Sequence, residues 1–284
     1  MKELSVIIVS YKSDAVLMDC LQSISLHNDL ANNLEVIIVD NYGGTDLEER
    51  INSNPYTFEV RYLKNPQNIG FGAANNVGVK AASSDIVFFL NPDTIIQSSI
   101  FRDIVSKIEC NKKLVYGFTL VDKCNNASNS YSFFYDDYFV YHFLAIYKRL
   151  SFYGVNTNKF ANKNVWPWGA AFAIHKSAFI NAGMFDERIF LCNEEPDLLH
   201  RIPDREVFIS KNRIIHLEGH GEVVSVLRYS EYLKSLNYYL EKYNISKTPW
   251  RLHMYLYVAI LRVMKKDTSS KNFCKAWDGS SRLR

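Results

Sequence analysis

Hydrophobic residues in the first 120 positions fall into short β-branched runs separated by stretches with helical spacing. Leu4-Ser-Val-Ile-Ile-Val9 and Leu34-Glu-Val-Ile-Ile-Val39 are runs of the kind buried on both faces of a parallel sheet. Between them, Asp14 is placed to cap a helix that carries Leu17, Leu21 and Ile24 on one side. Asp40-Asn41 and the turn Gly43-Gly44 close the second run, and Thr45-Asp-Leu-Glu48 matches a capping box opening a short helix. Phe58 to Leu63 gives a third strand. Asp85-Ile-Val-Phe-Phe-Leu90 gives a fourth, stopped abruptly by Asn91-Pro92. Such alternation predicts βαβ units in a parallel or mixed sheet, whose ligands bind beyond the carboxyl ends of the strands.

The rhythm breaks between Lys123 and Asn164. An Asn/Ser run (Asn125 to Ser130) precedes Tyr131 to Tyr147, where nine of seventeen residues are Phe or Tyr, as expected of an insertion or lid. Trp166 to Ile174 resumes as one apolar strand, and Ser177 to Gly183 reads as a short helix stopped by glycine. Val207-Phe-Ile209 and Arg213-Ile-Ile-His216 are two further apolar runs. From Tyr229 the spacing is helical, with Tyr232, Leu233, Leu236, Tyr239 and Leu240 on one side. The last dozen residues, rich in Ser, Lys and Arg, are expected to be mobile.

Charge changes this picture only at the end of the chain. The net charge is +3, yet residues 1–227 carry 21 Lys/Arg against 26 Asp/Glu, whereas residues 228–284 carry 12 against 4. A basic tail of this kind points at an anionic partner, and the mixture of aromatic, aliphatic and basic residues in Trp250 to Lys266 suits a bilayer interface better than nucleic acid. Packing of that segment on the catalytic domain is the alternative. The run Leu4 to Val9 is too short for a signal peptide core, and no stretch reaches the 18 or so apolar residues of a spanning helix. Five scattered cysteines without a CxxC pair indicate neither a disulfide framework nor a zinc knuckle, and a reducing cytoplasm fits.

Three acidic sites stand where predicted strands end: Asp40, Asp93 and the cluster Glu194-Glu195-Pro196-Asp197. Asp93 is placed to let a hard cation bridge it to phosphate oxygens, and the same spacing suits a helix N-cap before Ile95. Asp40 suits an Asx turn before Gly43. Asn68-Ile-Gly70-Phe-Gly72 with Asn75-Asn76-Val-Gly78 fails the dinucleotide fingerprint, because it follows the third strand and lacks the third glycine; its backbone N–H groups can still approach a phosphate. The Glu194–Asp197 cluster suits a solvated helix N-terminus or a general base tuned by its neighbours. His216 ends a strand-like run before Gly219-His220-Gly221, as a metal ligand or a structural histidine would.

The whole order of these motifs resembles family-two glycosyltransferases of the GT-A fold. It is carried by Ser5-Val-Ile-Ile-Val-Ser10-Tyr11, Val39-Asp40-Asn41, Asn68 to Gly78, Leu90-Asn91-Pro92-Asp93-Thr94, Gly169-Ala-Ala, and Gly183-Met-Phe-Asp186 leading to Glu194-Glu-Pro-Asp197. More narrowly, the chain resembles the rhamnosyltransferase-type branch of bacterial surface polysaccharide (O-antigen or capsule) assembly. The resemblance spans roughly residues 3 to 221. It implies an α/β GT-A catalytic domain over residues 1–227, with a nucleotide-binding half to residue 121 and an acceptor-binding half over 122–227, followed by a basic helical extension over 228–284. It also implies a dTDP- or UDP-sugar donor held by Ser10, Tyr11, Asp40, Asn41, Asn68, Gly70, Asn75, Asn91 and Asp93. A Mg2+ or Mn2+ ion would sit on Asp93 and His216.

By the same resemblance Glu195 is the base of a single inverting displacement, with Glu194 or Asp197 as alternatives, and Gly169 lies at the acceptor. Trp166 and Trp168 are expected to meet the acceptor because sugars stack on aromatic faces, with a hydrophobic lid or dimer contact as the alternative. A rhamnosyl, galactosyl or similar residue would pass to a hydroxyl of a lipid-linked or growing surface glycan. The acceptor is expected to be polyprenyl-diphosphate-linked and the enzyme cytoplasmic, peripheral on the inner membrane. The aromatic segment Tyr131 to Tyr147 serves acceptor stacking, a hydrophobic lid or a homodimer contact equally well. Two positions depart from the family pattern. Glu195 replaces the usual Asp of a Glu-Asp pair, and Asn91 replaces the first of two metal-site aspartates. The first departure is what a catalytically silent sugar-binding relative would also show.

Overall fold

A computed structural model describes residues 2–42, 46–136, 165–202, 204–217, 225–264 and 268–280. The expected strands form β1 (Leu4–Ser10), β2 (Leu34–Asp40), β3 (Glu59–Lys64) and β4 (Ile86–Leu90). They pair in parallel in the order β3-β2-β1-β4. Alternate residues face opposite sides, so Ile7, Val9, Ile37, Val39, Val87 and Phe89 enter one core while Val6, Ile8, Val36, Ile38 and Phe88 enter the other. This double burial is why the runs are continuous and apolar rather than alternating.

Helices cover both faces. α1 (Asp14–Leu26), α2 (Leu47–Asn52) and α4 (Phe101–Cys110) bury Leu17, Leu21, Ile24, Leu47, Ile51, Ile104 and Ile108 on one side. On the other lies α3 (Phe71–Ala81), where Gly78 is obligatory: a Cβ there would stand 2.4 Å from Cγ2 of Ile7. Ser13, not Asp14, occupies the cap position of α1, which leaves Asp14 in the first turn where its charge suits the helix dipole. Of the capping box expected at Thr45–Glu48, Thr45 lies outside the described residues.

Beyond Asn91 the sequence reading needs correction. Thr94–Ile96 is not the start of a helix but strand β5, so the helix-cap reading of Asp93 is overturned. β6 (Leu114–Val121) and α4 are additions that the pattern did not single out. The apolar run from Trp166 splits into β8 (Val165–Pro167) and β9 (Ala171–His175), separated by a turn at Trp168–Ala170. β8 pairs with β7 (Tyr131–Phe133), whereas β9 enters the main sheet antiparallel between β4 and β6. The two runs at 207–209 and 213–216 join into one strand, β10 (Glu206–His216), with an irregularity between Ser210 and Arg213. The full order is β3-β2-β1-β4-β9-β6-β10-β5.

After α5 (Lys176–Asn181) and α6 (Glu194–His200) come α7 (Val226–Lys242), α8 (Lys247–Met264) and α9 (Thr268–Gly279). Leu233, Leu236, Tyr239 and Leu240 of α7, as expected from their spacing, are buried, and they join the same core as Ile7 and Phe89. The expectation of mobile final residues is corrected through Gly279, since α9 buries Phe273, Ala276 and Trp277. The aromatic residues in a basic stretch supply the apolar stripe that a count of charges hides. Residues 137–164, which hold most of the aromatic segment, lie outside the described residues, as do Gly219, His220 and Gly221.

Candidate active site

β1, β2 and β4 run parallel, so Ser10, Asp40 and Leu90 reach the same edge of the sheet. β10 is parallel to β6 and therefore to β4, which brings His216 to that edge as well. At the end of β1 the Ser10 hydroxyl is buried, with no hydrogen-bond partner among the described residues. Asp40 is buried too. Its Oδ1 accepts from Tyr42 N at 3.0 Å and its Oδ2 from the Tyr62 hydroxyl at 2.5 Å, and burial together with that carboxylate pushes the Tyr62 pKa far up. Asp40 thus shapes the turn. Beyond it, exposed Tyr11 and Tyr42 meet edge to face at 5.8 Å, with the Lys12 ammonium 4.8 Å from the Tyr42 ring centre.

Asn41 ties this turn to the start of α3. Its Nδ2 donates to Asn68 Oδ1 at 2.8 Å and to the Gly70 carbonyl at 3.2 Å, while its Oδ1 accepts from Asn65 Nδ2 and Ile69 N. Asn68 also accepts from Gly70 N. Gly70 has φ +93, and a Cβ there would stand 2.8 Å from the Phe190 carbonyl, which accepts from Phe71 N. Asn75 is buried and donates to the Phe71 carbonyl of its own helix. Its neighbour Asn76 makes two bonds to the backbone of Phe185. The glycine-asparagine turn is therefore a clamp on the loop that precedes Glu194.

Asp93 and His216 meet because of strand register. β5 pairs antiparallel with β10, setting His216 opposite Thr94, and His216 Nε2 stands 3.4 Å from Asp93 Oδ1. Asn91 Oδ1 is buried, with no hydrogen-bond partner among the described residues. Among those residues no three His, Cys, Asp or Glu side chains form a ready-made metal cluster. One carboxylate, one imidazole and an orphaned amide oxygen nearby in sequence fit a cation that completes its shell with phosphate oxygens rather than a protein-only cage.

The carboxylate pair arrives from the second half of the chain. Cys192 and Asn193 both take left-handed backbone (φ +68 and +67), and Asn193 is pinned by the Tyr135 hydroxyl and Ser235. Contrary to a solvated helix start, Glu194 is 1% and Glu195 9% exposed. Burial, then the charge of Glu195, holds the Glu194 carboxyl well above the usual range, and burial raises Glu195 to about 7. Two glycines make the room. A Cβ on Gly169 would lie 1.6 Å from Glu195 Oε1, and one on Gly72 would lie 3.3 Å from Glu194 Cγ. Asn91 N donates to the Ala170 carbonyl, which joins Gly169 and Glu195 to the end of β4. Gly169→Ala must displace the Glu195 carboxylate, and a shift near 1 Å predicts a turnover loss of about 100-fold in steady-state assays, with the melting profile retained.

Asp197 is fully buried and its oxygens are taken up: Arg201 bonds Oδ2 at 2.8 Å, and Lys242 and Tyr243 bond Oδ1 at 2.5 and 3.0 Å. Trp166 is buried and donates to the Phe133 carbonyl, so its ring is a floor; half-buried Trp168 stacks on it at 5.6 Å and is the outer ring of the two. Sequence reasoning missed Tyr62 and Lys242, and it quoted Gly72, Asn76 and Asp186 within motifs without giving them these contacts. Asp186 and Lys242 are 56 residues apart, and no local spacing signals their contact.

An uncharacterized glycosyltransferase of Haemophilus influenzae is 26% identical over 130 residues, 46% of this chain and 42% of that protein. A low-salt glycan biosynthesis hexosyltransferase of Haloferax volcanii is 26% identical over 106 residues, 36% of this chain and 31% of its own. The chain thus spans less than half the length of either curated relative. Among solved structures, the mannosyltransferase PcManGT of Pyrobaculum calidifontis, in complex with GDP-Man and Mn2+, matches at TM-score 0.57 and 12% identity over 99% of this chain and 69% of its own. TarS of S. aureus with UDP-GlcNAc matches at TM-score 0.55 and 14% identity over 81% and 64%. These likenesses establish the GT-A type of fold. The model of glycosyl transferase family 2 matches residues 5–189, well over half of the sequence, and the chain belongs to that family.

Proposed function

We propose that this protein is an inverting glycosyltransferase that moves a hexosyl or deoxyhexosyl group from a dTDP- or UDP-sugar to a hydroxyl of a lipid-linked or growing bacterial surface glycan. The observation that carries the reading is Glu195: a buried carboxylate with a pKa near 7, seated against Gly169 and joined through Ala170 to the strand end that leads to Asp93. A base poised near neutrality takes the acceptor hydroxyl's proton as that oxygen attacks the anomeric carbon and the nucleoside diphosphate departs from the opposite face. Asp197, already engaged by three partners, holds α6 in place.

Asp93 and His216 would hold a Mg2+ or Mn2+ ion, which supplies charge neutralisation of the leaving diphosphate when bound. Ser10 and Tyr11 line the nucleoside end, with Asp40 and Asn41 shaping the turn behind it, and Asn68, Gly70 and Asn75 build the wall of the donor site by clamping the loop before Glu194. Trp168 and Gly169 receive the acceptor. In this reading residues 1–121 bind the nucleotide, 122–227 the acceptor, and 228–284 brace the catalytic half and meet the inner membrane from the cytoplasm.

A thermal-shift and hydrolysis screen of uridine-, thymidine- and guanosine-diphosphate sugars, with and without Mn2+, tests the donor. A metal-dependent rise in melting temperature with uridine or thymidine sugars is expected. Absence of any nucleotide-dependent shift would remove the donor site.

The membrane reading rests on α8. Trp250, Met254 and Val258 are buried in the core, while Leu252, Leu256, Ile260 and Val263 are exposed on the outer side, Val263 by 82%. Exposed Lys271 and Lys275 on α9 add positive charge. No helix among the described residues is long and apolar enough to cross a membrane. Deleting residues 250–284 would remove core residues, so the test uses Leu256→Ser/Ile260→Ser/Val263→Ser. Sedimentation with vesicles containing anionic lipid should fall by about 10-fold or more at unchanged melting temperature; full retention counts against membrane docking.

A further inference from the structure

An ion network around two buried aspartates stands behind the carboxylate pair and extends beyond the anchoring of Asp197 described above. Lys242, the last residue of α7, bonds Asp197 Oδ1 at 2.5 Å and Asp186 Oδ2 at 2.8 Å. Asp186 also accepts from Arg188 at 2.8 and 2.7 Å and from the Tyr238 hydroxyl at 2.7 Å, and these partners hold its carboxyl far below the usual range. Arg201 crosses to the carbonyls of Ala182 and Met184. Three segments are thus joined: the loop that carries Phe185 and Phe190, the helix that starts with Glu194, and the C-terminal helix α7. Both aspartates are 8% exposed or less, where an uncompensated charge is costly.

We propose that Lys242 is a positioning residue for the Glu194–Glu195 pair, holding α6 through Asp197 and balancing its charge from the C-terminal helix. The inference rests on Glu195 as the base. Asp197 lies two residues beyond Glu195, and its charge acts on Glu194 to disfavour ionisation. The other charged or titratable groups facing the pair are Cys192, whose thiol is pushed up to about 12 by burial and by Glu194, and Arg228, which acts on Cys192. Around Asp186 and Asp197 stand the cations Arg188, Arg201 and Lys242, with His200 beside Asp197 and Lys242. Removing Lys242 takes one positive charge from this cluster and leaves both aspartates less compensated. Each effect favours the protonated form of Glu194, whose charge is coupled to that of Glu195.

Lys242→Met is therefore expected to move the acid limb of the kcat/KM profile to higher pH by about half to one unit. Turnover near pH 6.5 should fall several-fold and recover above pH 8.5, with donor KM unchanged. Lys242→Arg should keep the parental limb, and Tyr238→Phe, which removes a neutral bond to Asp186, should keep it too. Lys242→Gln gives the same reading if the methionine variant does not fold. A uniform loss at every pH, or an unmoved limb in folded Lys242→Met or Lys242→Gln, overturns the proposal. Glu195→Gln run alongside separates the two readings: if that variant turns over normally the base assignment fails, and if it is dead while the limb is unmoved only the role of Lys242 fails.

Discussion

Glu195→Gln is expected to abolish sugar transfer, by about 1,000-fold or more, and to leave a protein that is more stable than the parent above pH 7. The first effect follows from chemistry, because an amide cannot accept the acceptor's proton. The second follows from burial. Glu195 titrates at about 7 in the fold against an ordinary value of 4.5, so between those limits the folded chain keeps a proton that the unfolded chain has released. Stability must then fall as pH rises through that window and level off above it, at a cost of roughly 3 kcal/mol for the charged form. Glutamine has nearly the same shape against Gly169 and carries no charge to bury. The expected signature is thus a dead enzyme whose melting temperature exceeds the parent's at pH 8 and equals it near pH 4.5. The parent's own kcat/KM should lose about tenfold per unit below pH 7, as the base is protonated. A Glu195→Gln protein with parental turnover would move the base elsewhere, and Glu194 would be next to test.

Much of the fold was legible because its strands are buried on both faces. Leu4–Ser10 and Leu34–Asp40 have no polar side to obscure them, and their β-branched composition excludes a surface helix. The strands that escaped reading are those whose partners are remote. Thr94–Ile96 is three residues long and exists because β10, some 120 positions later, pairs with it. Its neighbour Pro92 and the acidic Asp93 read locally as the start of a helix, and long-range pairing overrode that signal. The break between Pro167 and Ala171 is similar, since the run is apolar throughout and only the competition between β7 and the main sheet divides it.

For the candidate site, local motifs gave the residues but not their states. Glu194 and Glu195 look like solvated acids at a helix start, and what makes them unusual is their cover: Gly169, Gly72 and the clamp from Asn76 to Phe185. Trp166 and Trp168 look alike in sequence, and only Trp168 keeps an open face. The contribution of α7 to the site could not be read at all, because Lys242 is one of twelve basic residues in a tail whose charge pattern points outward.

Asp93→Ala is expected to remove transfer as thoroughly as loss of the base, through a different quantity. Asp93 is 21% exposed on its side chain and lies at the mouth of the sheet edge, so truncating it opens no core cavity and the melting temperature without ligand should change by no more than a few degrees. What it removes is, among the described residues, the carboxylate this reading gives to a hard cation, since two positions earlier the chain offers the amide of Asn91 rather than a second acid. Metal-dependent stabilisation by the donor nucleotide should therefore vanish, and turnover should fall by about 1,000-fold or more. His216→Ala leaves that carboxylate in place and should cost less, about 10- to 100-fold, with the metal requirement moved to higher concentration. The order of the two variants carries the argument. If His216→Ala is the more damaging while Asp93→Ala still shows a Mn2+-dependent shift with nucleotide, the cation is not held by Asp93, and the 3.4 Å contact between them would be a structural link from the residue before β5 to the end of β10.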